Sequence, residues 1–262
     1  RDFMKEFEDL RHMERVPEKE LIIPANKFYY FPHHCVFKDD STTTKLWLVF
    51  DASAATSGGP SLNDVLAAGP KLQDDLFQFL VRFRFKFIAI IGDVAKIYRQ
   101  IRLDDVAKDY QRLYWRPDSS APLVMYRMTR VTYGVKSASH SSLKALQVVA
   151  DKHGTPETRT AMDDFYVDDL ISGDDTLAAA TKLVTDIRHT LLQGGFELRK
   201  MASNYPLLIN PLPENLRENV EAFEFGDEDH TIKTLGILWV PMADSFGFKV
   251  THLDSKPESV KD

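Results

Sequence analysis

Tyr166-Val167-Asp168-Asp169 sets two carboxylates side by side between apolar residues, with Gly173 four residues on. That pattern predicts a β-hairpin with Asp168 and Asp169 at its tip. Adjacent carboxylates repel each other and gain little at an ordinary turn. They are, however, the hard oxygen ligands that Mg²⁺ takes at about 2.0–2.1 Å, and phosphoryl transfer assisted by two metal ions is the chemistry such a pair can perform. An Asp-Asp pair alone is far more often a solvated acidic turn, so the surrounding sequence has to decide.

A third carboxylate stands upstream. Phe87-Ile88-Ala89-Ile90-Ile91 is an apolar, β-branched run that predicts a buried strand, with Asp93 just past its end and Ile97, Tyr98 and Ile101 following at helical spacing. Such a strand would bring Asp93 beside the hairpin, so that three acids surround two metals. Between these segments lies Tyr133-Gly134-Val135-Lys136-Ser137-Ala138-Ser139, a glycine-containing loop running into a predicted helix. Downstream come Gly195-Phe196-Glu197-Leu198-Arg199-Lys200-Met201-Ala202-Ser203-Asn204 and Leu235-Gly236-Ile237-Leu238-Trp239.

In order and context these segments resemble motifs A, B and C, and the closing segments, of the reverse-transcriptase palm. Phe31-Pro32-His33-His34-Cys35-Val36, the run from Lys45 to Ser53, Gly59-Pro60-Ser61-Leu62-Asn63-Asp64 and Gly69-Pro70 are similar to the fingers of BEL/Pao-type LTR retrotransposon polyproteins. The resemblance spans nearly all of residues 1 to 250. It implies an α+β fold: a palm of split βαβ, ferredoxin-like plan with a fingers subdomain. Residues 1–75 would be the N-terminal part of the fingers and 76–262 the palm, with a fingers insertion at about 99–130.

The same resemblance implies an RNA-directed DNA polymerase that uses two Mg²⁺ ions, with Mn²⁺ as a substitute, a deoxynucleoside triphosphate and an RNA or DNA template-primer. Asp93, Asp168 and Asp169 would be catalytic and metal-binding, with the backbone carbonyl of Val94 as a further ligand. Tyr98 aligns with the aromatic gate under the incoming sugar. Tyr133 and Gly134 would border the nucleotide, and Lys38, Lys45 and Lys200 would approach its phosphates. Thumb, ribonuclease H, integrase and protease regions would lie outside these 262 residues.

Three positions depart from the family pattern: Trp47 replaces the Arg that grips the triphosphate, Ser139 a Pro, and Met201 a Trp. An indole has one neutral donor and cannot make a guanidinium's bidentate contact. A second reading therefore stands beside the first: a catalytically silent remnant that serves as a nucleic-acid-binding or interaction module.

Composition is that of a globular chain, with 44% hydrophobic residues and one cysteine, Cys35, which excludes an internal disulfide. The absence of a long apolar run or signal pattern leads to the expectation of an intracellular protein with no membrane partner. The net charge of −6 hides a local excess. From Val81 to Arg116 nine basic residues face four acidic ones, interleaved with aromatics. Arg82, Arg84, Lys96, Arg99 and Arg102 are the candidates from this stretch for lining a template channel. A helix is predicted around Phe77–Leu80, followed by two longer ones, Ser137–Lys152 ending at Gly154, and one from Asp174-Asp175-Thr176 to Gly194-Gly195 with Leu177, Ala180, Val184, Ile187 and Leu191 on one stripe; Phe223 to His230 is expected as a short acidic loop and Asp254 to Asp262 as a frayed tail.

If the polymerase reading holds, Trp47→Arg should improve use of limiting nucleotide by roughly ten- to a hundredfold, since a hydrogen bond to a charged group is worth about 1.5–3 kcal/mol. Extension rates at sub-saturating nucleotide, with Asp168→Asn as the inactive control, measure this.

Overall fold

The run from Ile88 to Ile91 and the pair Leu170-Ile171 are apolar on both sides of the strand, so each needs a cover on either face of the sheet they form. The chain supplies both covers. In the computed structural model, residues 2–24, 27–37, 46–218, 223–224 and 237–248 are described. Their arrangement is mixed α+β with small antiparallel sheets.

The strands are β1 (Met13–Arg15), β2 (His33–Phe37), β3 (Leu46–Phe50), β4 (Ile88–Val94), β5 (Arg112–Trp115), β6 (Val124–Met128), β7 (Phe165–Tyr166), β8 (Asp169–Asp174), β9 (Leu198–Ser203), β10 (Phe223–Glu224), β11 (Ile237–Val240) and β12 (Ser245–Phe248). The helices are α1 (Asp2–Asp9), α2 (Leu62–Val65), α3 (Leu76–Arg84), α4 (Ile97–Gln100), α5 (Asp105–Asp109), α6 (Ala138–His153), α7 (Pro156–Ala161), α8 (Leu177–Gln193) and α9 (Pro206–Ile209).

The central sheet has the order β7-β8-β4-β9. Ile88, Ile90, Val94, Leu170 and Leu198 pack on one face against Leu143, Leu146 and Ala150 of α6 and Ala180, Val184, Ile187 and Leu191 of α8. Ala89, Ile91, Ile171 and Ala202 pack on the other face, under Phe79 and Phe83 of α3 and Trp239 of β11. Full burial of a Leu, Ile or Phe side chain contributes about 1.5–3 kcal/mol, so these two layers fix the sheet. Strand alternation then puts Asp93 and Asp169 on the α3 side, away from α6 and α8.

The two long helices keep their expected limits. Ser137 and Gly154 cap α6; Thr176 caps α8 by accepting from the Ala179 N–H at 3.2 Å, and Gly194 closes it. Any Cβ at Gly194 would lie 2.4 Å from Val149, so the α6–α8 contact itself requires glycine there.

A second core gathers Met4, Phe7, Met13, Tyr29, Phe31, Leu48, Phe50, Leu113, Tyr126 and Met128. It joins the N-terminal segment to the β5–β6 hairpin, whose β6 pairs with both β1 and β5. Beneath it Arg112 is fully buried and paired to Asp109 at 2.8 Å, and Arg127 binds Glu14, Glu20 and Asp109 at 2.8, 2.6 and 3.1 Å.

Four details differ from the sequence reading. β4 runs through Asp93 instead of ending before it, because β8 and β9 continue to pair with it to its last residues. The helix expected around Phe77–Leu80 extends over Leu76–Arg84. α1 was not foreseen, although Met4 and Phe7 are spaced to share a buried face. Of the expected acidic loop from Phe223 to His230, Phe223–Glu224 is a strand; the remainder, Leu235, Gly236 and the tail from Asp254 to Asp262 lie outside the described residues. Among the described residues, no helix is long and apolar enough to cross a membrane.

His12, behind α1, is 8% exposed, and its Nδ1 has no hydrogen-bond partner. Burial first, then the charges of Arg99, Arg130 and Lys96, depress its pKa to about 4 against the opposing pull of Glu6. The unfolded chain, with an ordinary histidine near 6.5, binds the proton more readily. The stability contributed by neutral His12 is thus complete above about pH 6.5 and is lost as pH falls toward 4, by about 2–3 kcal/mol. Urea midpoints of the wild type and His12→Gln, compared at pH 7 and 5, should show a markedly smaller pH loss in the variant; equal losses would exclude His12 as the cause.

Candidate active site

β7 and β8 form the expected hairpin, with Phe165 opposite Leu170 and Tyr166 opposite Asp169, but its tip is Val167-Asp168: Asp169, expected in the turn, is drawn into β8 by its pairing with Tyr166 and Asp93. The two-residue loop Val167-Asp168 needs a left-handed residue, since only primed turns match the twist of the flanking strands. Val167 takes that role at φ 59°, a costly conformation for a β-branched side chain. Neighbours hold it there: the Val167 N–H donates to Gln73 Oε1 at 3.2 Å, and the Asp168 carbonyl accepts from the Val94 N–H at 2.9 Å. At the hairpin's base, Asp164 accepts from the Ser172 hydroxyl at 2.5 Å and lies 3.5 Å from Arg82. Burial raises the Asp164 pKa, with Ser172 and Arg82 opposing.

Asp93 stands directly across from Asp169 in the β4–β8 ladder and across from Arg199 in the β4–β9 ladder. The Arg199 Nε donates to Asp93 Oδ2 at 3.2 Å. A register shift in the β4–β9 ladder between Ile91 and Asp93, with Lys200 left-handed at φ 50°, accompanies this approach. Asp169 is 8% exposed. The backbone thus brings Asp93, Asp168 and Asp169 to one end of one sheet. The side chains are less convergent: among the described residues no three Asp, Glu, His or Cys side chains gather as a metal cluster. Successive strand residues point to opposite faces, so Asp168 reaches the face of Asp169 only through the turn, while Asp93 is engaged by a guanidinium.

Hard oxygen donors on opposed strands are the correct chemistry for Mg²⁺ or Mn²⁺. In this arrangement Asp93 and Asp169 are the two residues best placed to share an ion, with Asp168 next to Asp169 in the chain.

The loop before α6 is tied to the second core. The Tyr133 hydroxyl donates to the Leu48 carbonyl. Gly134 has φ 87°, and a Cβ there would sit 2.5 Å from the Phe50 carbonyl. Asn63, to which the sequence assigned no role, clamps this loop: its Nδ2 donates to the Gly134 carbonyl at 2.9 Å and Ser53 Oγ at 2.8 Å, and its Oδ1 accepts from the Lys136 N–H at 2.8 Å. The available signal was Ser61-x-x-Asp64, a capping box that fixes α2 and with it Asn63.

Tyr98 is 8% exposed within the sheet–helix core, its hydroxyl 3.5 Å from Ser139 Oγ. Its ring therefore serves packing before anything else. Met201 is fully buried, and Lys200 is exposed. Lys38 and Lys45 lie outside the described residues, as does the Trp47 side chain, whose backbone pairs with Val36.

The structure places most of the basic stretch's candidates in ion pairs. Arg82 binds Asp74 at 2.6 Å and lies over Phe79; Arg84 binds Asp244 at 2.6 Å. Lys96 and Arg99 share Glu6 at 2.7 and 3.0 Å, and Arg99 is 8% exposed, with its guanidinium 4.1 Å from the Phe7 ring centre. Arg102 is exposed and bridges Arg130 through the backbone. Acids remote in sequence, Glu6 and Asp244, neutralise charges that a local count leaves unbalanced. Arg199, by contrast, was passed over as part of a closing segment, and its pairing to Asp93 depends on a bulge that residue types do not reveal.

Compared with models of protein families and with curated proteins, the chain matches none.

The Asp93–Arg199 pair is partly exposed, at 21% and 38%, so a double-mutant cycle of Asp93→Asn and Arg199→Gln should give a coupling of about 0.5–1 kcal/mol in urea unfolding at low salt. Additive effects would mean that the contact is geometric only.

Proposed function

We propose that this chain is the fingers–palm part of an RNA-directed DNA polymerase of the BEL/Pao retrotransposon type. The observation that carries the reading is the pairing of Asp93 with Asp169, beside Asp168 in a tight turn, on the face of the sheet away from α6 and α8. Supporting it is the path of the sheet. Counted in chain order among its own members, β7-β8-β4-β9 runs 2-3-1-4, with α6 before the hairpin and α8 after it. That is the order of a split βαβ, ferredoxin-like palm.

In this reading the primer 3′-hydroxyl attacks the α-phosphate of the nucleotide in line, and pyrophosphate departs. Bound divalent ions would supply Lewis acidity to the hydroxyl and neutralise charge on the phosphates. Asp93, Asp168 and Asp169, with the Val94 carbonyl, would hold them. Gly134, pinned by Asn63 to the N-terminal core, borders the nucleotide, and Tyr133 fixes the same loop to Leu48. Arg199 balances the acids' charge when no ion is bound.

Trp47 favours a second reading, a silent remnant that binds nucleic acid without extending it. Primer extension on an RNA template with Mg²⁺ or Mn²⁺ separates the two. The expected result is extension that Asp93→Asn and Asp169→Asn each reduce at least about a hundredfold, as loss of a principal electrostatic contact to the transition state does, with both variants folded by circular dichroism. Template-primer binding without extension, in a chain supplied with the downstream thumb region, would establish the remnant instead.

A further inference from the structure

α3 carries two apolar faces, and the sheet uses only one. Phe79 and Phe83 are buried against the sheet, whereas Phe77, Val81 and Phe85, spaced four residues apart on the opposite side, are 76%, 38% and 79% exposed. A Phe carries roughly 150–250 Å², so this stripe shows far more apolar surface than scattered single residues would.

The pattern around the stripe indicates what covers it. Phe77 and Phe85 lie four residues either side of Val81, so the stripe reads the same in both directions. The charges reverse: Asp74 and Asp75 precede the helix, while Arg84 and Lys86 stand at its other end. An anionic ligand would meet Asp74 and Asp75, and a cationic one Arg84 and Lys86. A second α3 laid antiparallel satisfies both ends at once. Val81 then meets its own copy on the axis, Phe77 meets Phe85 of the second copy, and each acidic end meets a basic end. The helix dipoles also oppose favourably. Within one chain these charges sit in exposed pairs, Lys71 with Asp75, Arg82 with Asp74 and Arg84 with Asp244, which cost little to exchange.

We propose that α3 is the surface through which two copies of this chain associate, as a two-fold antiparallel helix pair centred on Val81. Such an interface is isologous, using the same patch on both copies. The stripe buries less than the roughly 800 Å² per partner of a standard interface, so association is weak and concentration-dependent.

Sedimentation velocity of the 262-residue chain, from about 10 μM to 1 mM, should show a monomer–dimer equilibrium. Val81→Lys, which sets like charges on the axis at an exposed position, should leave a monomer with unchanged circular dichroism. Asp74→Lys and Lys86→Glu should each weaken association, and an equimolar mixture of the two should restore it. In a Cys35→Ser background, Val81→Cys should oxidise to a covalent dimer while the exposed control Leu192→Cys does not. A wild type that stays monomeric throughout, a dimer that survives Val81→Lys, a charge-swapped mixture that regains nothing, or a monomer that binds an anionic single strand through the same stripe would each overturn the proposal.

Discussion

The antiparallel register of β4 on β8 is the constraint on which the rest of the structure depends. It pairs Ile88 with Asp174 at one end and Asp93 with Asp169 at the other, and every residue between has a partner. A slip of one residue would exchange the faces of all the side chains on a strand. Asp169 would then turn toward α6 and α8, and Leu170 away from them. Register is strongly specified because both faces are buried, Ile88 and Ile90 under one pair of helices and Ala89 and Ile91 under α3 and Trp239. The placing of the acids is thus a consequence of hydrophobic burial several residues away, and no interaction between the acids is needed to bring them together.

The second core acts on the site through fewer contacts. Asn63 and Tyr133 tie the loop before α6 to the segment around Leu48 and Phe50, and Glu6 ties α1 to Lys96 and Arg99 just beyond Asp93. Each tie is a hydrogen bond or ion pair reaching across some 70 to 93 residues of sequence. Such contacts fix orientation more than they add stability, since exposed or half-exposed pairs contribute about 1 kcal/mol or less. Burial makes Arg99 the exception: removing Glu6 would leave its guanidinium nine-tenths covered without that carboxylate.

What the sequence revealed followed the physical range of its signals. Helix periodicity and caps are local, so α6 and α8 were legible nearly to the residue, including Ser137, Gly154 and Gly194. The hairpin was legible because apolar runs flank Asp168-Asp169, but its tip was not: the turn is Val167-Asp168, and cross-strand pairing takes Asp169 into β8. The end of β4 was not, because ladder pairing by β8 and β9 decides it. Electrostatics were read least well. The local count of nine cations did not show that Glu6, Asp244 and Asp109, two of them far away in sequence, pair with several of them. Arg199 shows the converse failure, since its partner lies 106 residues away and a bulge delivers it.

Arg199 also shows how the end of the sheet accommodates its acids. Two carboxylates opposed in a ladder, one of them nearly buried, favour any nearby positive charge. A guanidinium on the neighbouring strand provides one permanently, but at 3.2 Å through a single nitrogen it is a weak and displaceable partner compared with a divalent ion. A bidentate Arg at that position would hold Asp93 more tightly. The left-handed Lys200 and the adjoining bulge accompany the single contact. Lys200 lies one residue past Arg199, which stands opposite Asp93, so the irregularity of this edge strand falls where the two charges meet.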